Sequence, residues 1–282
     1  MLQLVDSASA FAAATTAARS QGLPTGEMRV LRDLTNLLVH LAPAPVVARV
    51  PLTLSRLRGP DWFRGEVELA RFLERAGAPV APLAANVDPG PHGHAGLVVT
   101  FWTYVDHDLE RADAAAAGRS LRELHEALAG WTGALPTCDR LEEVGRLLAL
   151  LGPSELVSAE ELQALRELCA ERRPVAGGRP LHGDSHLRNV LWSREGPLWT
   201  DLENVCSGPV EYDLACLSWR GQPGTAEALA AYGTHDERLC DQLEPVLALF
   251  LAAWTVVVVT RAPTPEGAEE ARRRVRRALT PS

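Results

Sequence analysis

The sequence predicts an α+β protein built as two lobes, and three observations carry that prediction. Segments of alternating or β-branched apolar residues, the mark of half-buried strands, fill much of the first hundred positions. Helical spacing takes over after about residue 105, broken by short extended segments at 182–201. The composition shifts near residues 100–105, which sets a smaller lobe at 1–102 and a larger, mainly helical one at 103–282.

In the smaller lobe, 28–32 alternates apolar and polar residues, 33–36 has turn chemistry, and 37–41 reads as a second strand. Pro43 and Pro45 turn the chain into a third strand at 46–50, completing an antiparallel meander that ends in a basic residue. Residues 65–76 switch to helical spacing, with Val67, Phe72 and Leu73 set against Glu66, Arg71 and Glu74, and Gly77 stops the run. A Gly/Pro/His-rich loop at 88–95 precedes a buried strand at 97–102. In the larger lobe, Leu121, Leu124 and Leu128 form one apolar stripe, and Ser158 with Glu161 is a capping box opening a further helix. Thr264 and Pro265 pair as cap and first turn of the last helix. The apolar run at 246–260, closely bounded by Glu244 and Arg261, falls short of the ~20 residues a spanning helix needs and reads as a buried core helix.

Composition narrows the function. A net charge of -8 argues against nucleic acid, whose phosphates need a basic face. All 28 lysine-plus-arginine positions are arginine, so a site that needs a cation must use Arg or His. The five cysteines are scattered without C-x-x-C spacing, which speaks for reduced thiols in a cytoplasm rather than zinc or redox sites. The first residues lack a basic region followed by an apolar run, so neither a secretory leader nor a membrane partner is expected.

The chemistry concentrates at 182–201. Phosphoryl transfer needs an acceptor hydroxyl aligned in line and cations that neutralise spreading charge. Asp184 is the candidate to orient the hydroxyl and accept its proton, and Asn189 and Asp201 offer the hard oxygen ligands that Mg²⁺ prefers. Residues 189–192, a turn at 193–196 and a return strand at 198–200 would form a hairpin. Its open end would set Asn189 beside Asp201, with Asp184 on the loop entering it. Glu203 would share a face with Asp201 in an extended chain. It could hold a second metal or a cationic substrate group, or serve as a salt-bridging neighbour. A competing chemistry, a metal-dependent hydrolase on His182, Asp184, His186 and Asp201, would require histidine ligands.

The Asp184-x4-Asn189 spacing with Asp201 downstream matches the catalytic-loop and metal-Asp signature of protein kinases. Gly183 in place of Arg, and Leu202 and Glu203 in place of Phe-Gly, depart from it. Together with Gly208, Glu211 and Asp213 in the following segment, these residues resemble the aminoglycoside phosphotransferase family, whose broader relatives include choline and homoserine kinases. The resemblance is closest over 181–216 and weaker over 26–80.

That resemblance implies a protein-kinase-like fold that uses ATP or GTP with Mg²⁺. The implied acceptor is a hydroxyl of a small molecule: an aminoglycoside-like antibiotic, an amino alcohol or a sugar. It implies that Arg49 holds the α- and β-phosphates, paired with Glu66, for which Glu68 is the competing choice. Thr100, Phe101 and Trp102 fall where the family's hinge meets the base, with Val47 and Leu191 as walls. Asp213 would brace the catalytic loop and His186 lie on the substrate side. No glycine-rich turn is present, so Thr35 and Asn36 are the residues left to cover the phosphates. Read without this context, Arg49 is a sheet-edge charge, Glu66 a helix N-terminal acid and His125 a satisfied helix histidine. The alternative function is an inactive, nucleotide-binding regulatory protein of the same fold. The acceptor site is expected within 205–260.

Overall fold

The computed structural model describes residues 6–52, 58–108, 113–138, 140–172, 178–218 and 224–280. A five-stranded antiparallel sheet of order β1-β2-β3-β5-β4 organises the first part: β1 (Glu27–Asp33), β2 (Asn36–Ala42), β3 (Val46–Pro51), β4 (His92–His94) and β5 (Leu97–Thr103). The short β4 lies inside the segment read from sequence as loop, because Gly93 and His94 pair with Val98 and Leu97.

Strand alternation divides the sheet into two faces. Leu37, Val39, Leu41, Ala48, Val50, Val99 and Phe101 point to one side and are buried under α1 (Ser7–Ser20). Asp6 caps that helix by accepting from the Ser9 N–H at 2.8 Å, and its buried stripe is Ala10, Ala13, Ala14, Ala17 and Ala18. Such small side chains let the helix lie close on the sheet. The other face carries Leu38, His40, Val47, Arg49, Thr100 and Trp102, aligned by the pairings Leu38–Arg49, His40–Val47, Val47–Trp102 and Arg49–Thr100.

The helix α2 (Pro60–Arg75) begins five residues before the expected 65, because Gly59 and Pro60 supply a cap position and a preset first turn. Glu66 therefore stands in its second turn rather than at its N-terminus, among the buried residues Phe63, Val67, Leu69, Ala70 and Leu73. A carboxylate there requires a partner. Most of this stripe does not pack on the sheet. Val67, Leu69, Ala70 and Leu73 join a cluster with Leu121, Leu124 and Leu128 of α3 (Ala114–Leu128) and with Trp199. Residues 79–81 run beside Trp199, exchanging Trp199 N–H to Pro79 O and Ala81 N–H to Trp199 O, both at 2.8 Å. One core thus ties the first part of the chain to the second.

The second part contains α4 (Arg140–Leu150), α5 (Ala159–Glu171), α6 (Glu211–Leu217), α7 (Thr225–Tyr232), α8 (Glu237–Arg261) and α9 (Pro265–Leu279), with short strands β6 (Arg179–Leu181), β7 (Val190–Trp192), β8 (Pro197–Trp199) and β9 (Cys206–Gly208). The expected apolar run is the body of α8. By length and composition α8 could cross a membrane, yet Leu247, Leu249, Ala252, Ala253 and Val256 are buried against α4, α5, α6 and α9.

Helices α3 and α7 approach closely at Gly118, where an added Cβ would lie 2.0 Å from the Ala228 carbonyl oxygen. Alanine in a helix interior is ordinarily favoured over glycine by ~1 kcal/mol. Here backbone faces backbone and cannot yield, so Gly118→Ala is expected to lower stability by about 1–3 kcal/mol, read as a reduced midpoint in urea unfolding.

Candidate active site

Asn189 closes a short 3-10 turn, Leu187–Asn189, and β7 and β8 follow as a hairpin in which Val190 faces Trp199. The Thr200 N–H donates to the Asn189 carbonyl at 2.8 Å, which sets Asn189 and Asp201 side by side at the open end. The Asn189 side-chain N–H₂ donates to the Asp184 carbonyl (2.9 Å) and carboxylate (3.1 Å). Asp184 and Asn189 therefore meet, and the Thr200 bond brings Asp201 to the same end of the hairpin. The amide nitrogen of Asn189 is taken up by Asp184, which leaves its oxygen, with an Asp201 carboxylate oxygen, as a hard-oxygen pair suited to Mg²⁺.

The entering loop is held rigidly. Asp213, fully buried on α6, accepts from the backbone N–H of His182 at 2.6 Å and of Gly183 at 2.8 Å. Gly183 has φ +80°, and a Cβ would meet the Asn204 carbonyl at 2.1 Å, so only glycine fits there. That accounts physically for the Gly in His-Gly-Asp. Burial alone would raise the Asp213 pKa, but the His125 hydrogen bond and charge, the His182 ring and the Gly183 N–H outweigh it and hold it below the usual carboxylate value. His182 lies between the Thr200 carbonyl (2.9 Å) and the Asp184 N–H (3.2 Å). With both ring nitrogens engaged it supports the loop and is not available as a metal ligand, which removes the basis for the hydrolase reading. His186 sits beside Asp184, its Nε2 3.7 Å from the carboxylate.

From the sheet, the Arg49 guanidinium reaches three acids at once. Its Nη1 donates to both Glu66 oxygens at 2.9 and 2.8 Å. Its Nη2 donates to Asp201 at 3.0 Å and Glu203 at 2.6 Å. Glu66 is thus Arg49's partner on α2. Asp201 adopts a left-handed conformation (φ 64°) and residues Leu202–Asn204 form a 3-10 turn, so Glu203 does not share a strand face with Asp201 as expected. The two converge because the turn wraps both around one guanidinium. The three carboxylates hold the Arg49 pKa up, against the effect of burial. Burial pushes Glu66 up. Burial, with Asp201 and Glu66 adding repulsion, also pushes Glu203 up to about 8 against the pull of Arg49 and Arg58.

Val47, Thr100, Trp102 and Leu191 fare differently from Phe101. Val47, Thr100 and Trp102 share the Arg49 face, with the Trp102 Nε1–H donating to Thr100 Oγ1 at 2.9 Å. Leu191 points away from the buried pair Val190 and Trp192. Phe101 is a correction: strand alternation turns its side chain into the core beneath α1, and its N–H and carbonyl pair with Pro89 and Ala84. Asn36 is buried with no partner for its side-chain oxygen.

Several neighbours escaped the sequence. His40, on the Arg49 face, stacks on Tyr104 with ring centroids 3.9 Å apart. The Arg58 Nη1 and Trp62 Nε1 groups both donate to the Glu203 carbonyl at 2.9 Å, clamping α2 to the Asp201–Glu203 turn. Arg140, buried against Tyr212 and Phe250, donates to the Gly183 carbonyl. Arg261, at the end of α8, donates to the Leu34 carbonyl and to Asp33, tying down the turn between β1 and β2. Of the acceptor region at 205–260, residues 219–223 lie outside the described residues.

A family model for the APH phosphotransferase enzymes matches residues 35–250. A segment of 86 residues is 33% identical to Stress response kinase A of Salmonella choleraesuis. The match covers 27% of this chain and 26% of that protein, so the chain spans about a quarter of the curated relative's length. Among solved structures, amicoumacin kinase hAmiN in complex with AMP-PNP, Ca²⁺ and Ami is similar with a TM-score of 0.69, at 13% identity over 94% of this chain and 91% of that one. Choline kinase LicA from Streptococcus pneumoniae is similar with a TM-score of 0.66, at 13% identity over 94% and 96%. Both likenesses establish a kinase-like two-lobed α+β fold.

The raised Glu203 pKa has a pH signature. Below its ordinary value of 4.5 the carboxyl is protonated whether the chain is folded or not. Between 4.5 and about 8 the unfolded chain loses the proton first, so stability falls as pH rises through that window and levels off above it. Without Mg²⁺, the wild-type urea midpoint should therefore decline relative to that of Glu203→Gln between those pH values. Parallel curves would show that Glu203 ionises normally.

Proposed function

We propose that this chain, which belongs to the APH phosphotransferase enzyme family, uses Mg²⁺-ATP to phosphorylate a hydroxyl of a small molecule such as an aminoglycoside-like antibiotic, an amino alcohol or a sugar. The observation that supports the reading is the Asn189–Asp184 hydrogen bond at the hairpin end that leads into Asp201, with Arg49 reaching Asp201 from the sheet. The AMP-PNP and Ca²⁺ named for the amicoumacin kinase structure support a nucleoside triphosphate with a divalent cation. GTP is the competing donor.

Asn189 and Asp201 are the residues that would hold Mg²⁺, which when bound neutralises charge on the transferring phosphoryl group. Arg49 would turn its guanidinium to the phosphates while Glu66 keeps it oriented. Thr100, Trp102, Val47 and Leu191 would line the base slot, and the side-chain N–H₂ of Asn36 would turn to the phosphates. Asp184, about a quarter exposed, faces the acceptor side beside His186. As the acceptor oxygen bonds to the γ-phosphorus and the bond to the β-phosphate oxygen breaks, Asp184 takes the hydroxyl proton. We assign residues 1–102 to nucleotide binding and 103–282 to catalysis and the acceptor. Five cysteines that form no disulfide suit a reducing cytoplasm.

An ATP-consumption screen over aminoglycosides, macrolides, choline-like amines, sugars and homoserine tests the reading. At least one acceptor should be turned over, and tight Mg²⁺-ATP binding with no turnover anywhere would favour the non-catalytic alternative. Asp184→Asn should keep nucleotide affinity and lose turnover by about 100- to 10,000-fold. Full activity in that variant would remove Asp184 from the mechanism.

A further inference from the structure

The Asp213 carboxylate that braces the catalytic loop has a third donor, from a residue the reaction does not otherwise use. His125, buried on α3, has its Nε2 2.8 Å from Asp213 Oδ2, the same oxygen that accepts the His182 N–H. Its Nδ1 lies 2.9 Å from the Tyr232 hydroxyl on α7, and the two rings meet edge to face at 5.6 Å. The Asp213 carbonyl also accepts from Ser185 Oγ at 2.7 Å, so residues 182, 183 and 185 are all pinned to this one residue.

A buried carboxylate must be supplied with donors, and one lost donor leaves a lone pair that seeks a substitute. Asp213 is an ionised acceptor, so the facing His125 nitrogen must carry the proton. On the other side of the ring, Nδ1 meets the Tyr232 hydroxyl, which can donate or accept. Tyr232 thereby fixes the ring's orientation from a separate helix. The close approach of α3 and α7 at Gly118, two turns before His125, makes that contact reachable.

We propose that His125 is a positioning residue for phosphoryl transfer. Through Asp213 it holds the His182 and Gly183 amides, and so the aim of Asp184, while Tyr232 orients its ring. This rests on the reading of Asp184 as the group that orients the acceptor hydroxyl. Residues that orient a functional group through one intermediate typically alter activity by about 10- to 100-fold when lost.

The test compares His125→Gln, whose amide nitrogen can stand where Nε2 stands, with His125→Asn, which reaches toward Tyr232 but not Asp213. Both are assayed with Mg²⁺-ATP and the acceptor turned over fastest in the panel, with thermal midpoints and amide exchange at residues 182–185 measured in parallel. His125→Asn should lose about 10- to 100-fold in kcat with nucleotide KM little changed, and should speed exchange at 182 and 183. His125→Gln should restore most of both at a similar thermal midpoint. Equal kcat in the two variants, or losses that track the thermal midpoint alone, would overturn the proposal. If the wild type turns over no acceptor, the phosphotransfer reading fails by itself and the exchange comparison decides: faster exchange in Asn but not Gln supports the brace, and unchanged exchange in both rejects it. Should His125→Asn fail to fold, Tyr232→Phe keeps the ring contact and removes the hydroxyl. Exchange at 182 and 183 should rise in it, and wild-type exchange would overturn the Tyr232 role.

Discussion

The guanidinium of Arg49 is the interaction on which the arrangement depends. It is buried on the third strand and bonded on one edge to Glu66 of α2 and on the other to Asp201 and Glu203. Four ionisable groups out of water would be costly alone, since each loses its hydration. Together they constrain three separate elements. The strand must bring residue 49 to its ligand-facing side, α2 must turn residue 66 inward, and the chain after Asp201 must wrap tightly. A single cation with fewer donors could not present two forked edges in one plane. Arginine at this position therefore suits a site that collects three carboxylates.

Around that ion cluster the fold divides its work by rigidity. The sheet and α1 form an apolar slab that fixes the direction of Arg49. The cluster built on Trp199, α2 and α3 joins the sheet to the hairpin that carries Asn189 and Asp201. The catalytic loop is fastened from below by Asp213 and from the side by Arg140. Asp184 is thereby placed by backbone hydrogen bonds, and its carboxylate contacts Asn189 and lies near His186.

Much of this was legible in the sequence because it is local. The hairpin, and the approach of Asn189 to Asp184 at its open end, follow from turn chemistry and spacing over twenty residues. The first three strands follow from period-two patterning. The alanine stripe of α1 had helical spacing behind an Asp6 cap, but alanine carries too little hydrophobic contrast to stand out. Phe101 shows a limit of motif reading. Its place beside Thr100 and Trp102 put it in the hinge, and alternation along the strand put its side chain on the opposite face. Glu203 shows another, since the left-handed Asp201 breaks the extended geometry that spacing assumes.

What the sequence determined by itself is the α+β class, the family, and the hairpin of residues 190–199, because each rests on neighbours along the chain. Tertiary structure alone decided that Arg49 meets three carboxylates, two of them more than 150 positions away, that Arg261 ties down the 33–36 turn, and that His125 and Tyr232 stand behind Asp213. Those pairings depend on how closely α3 and α7, or the sheet and the hairpin, can pack. That closeness is set by shape and burial across elements, through features such as Gly118 and the buried stripe of α2, and no spacing along the chain encodes it.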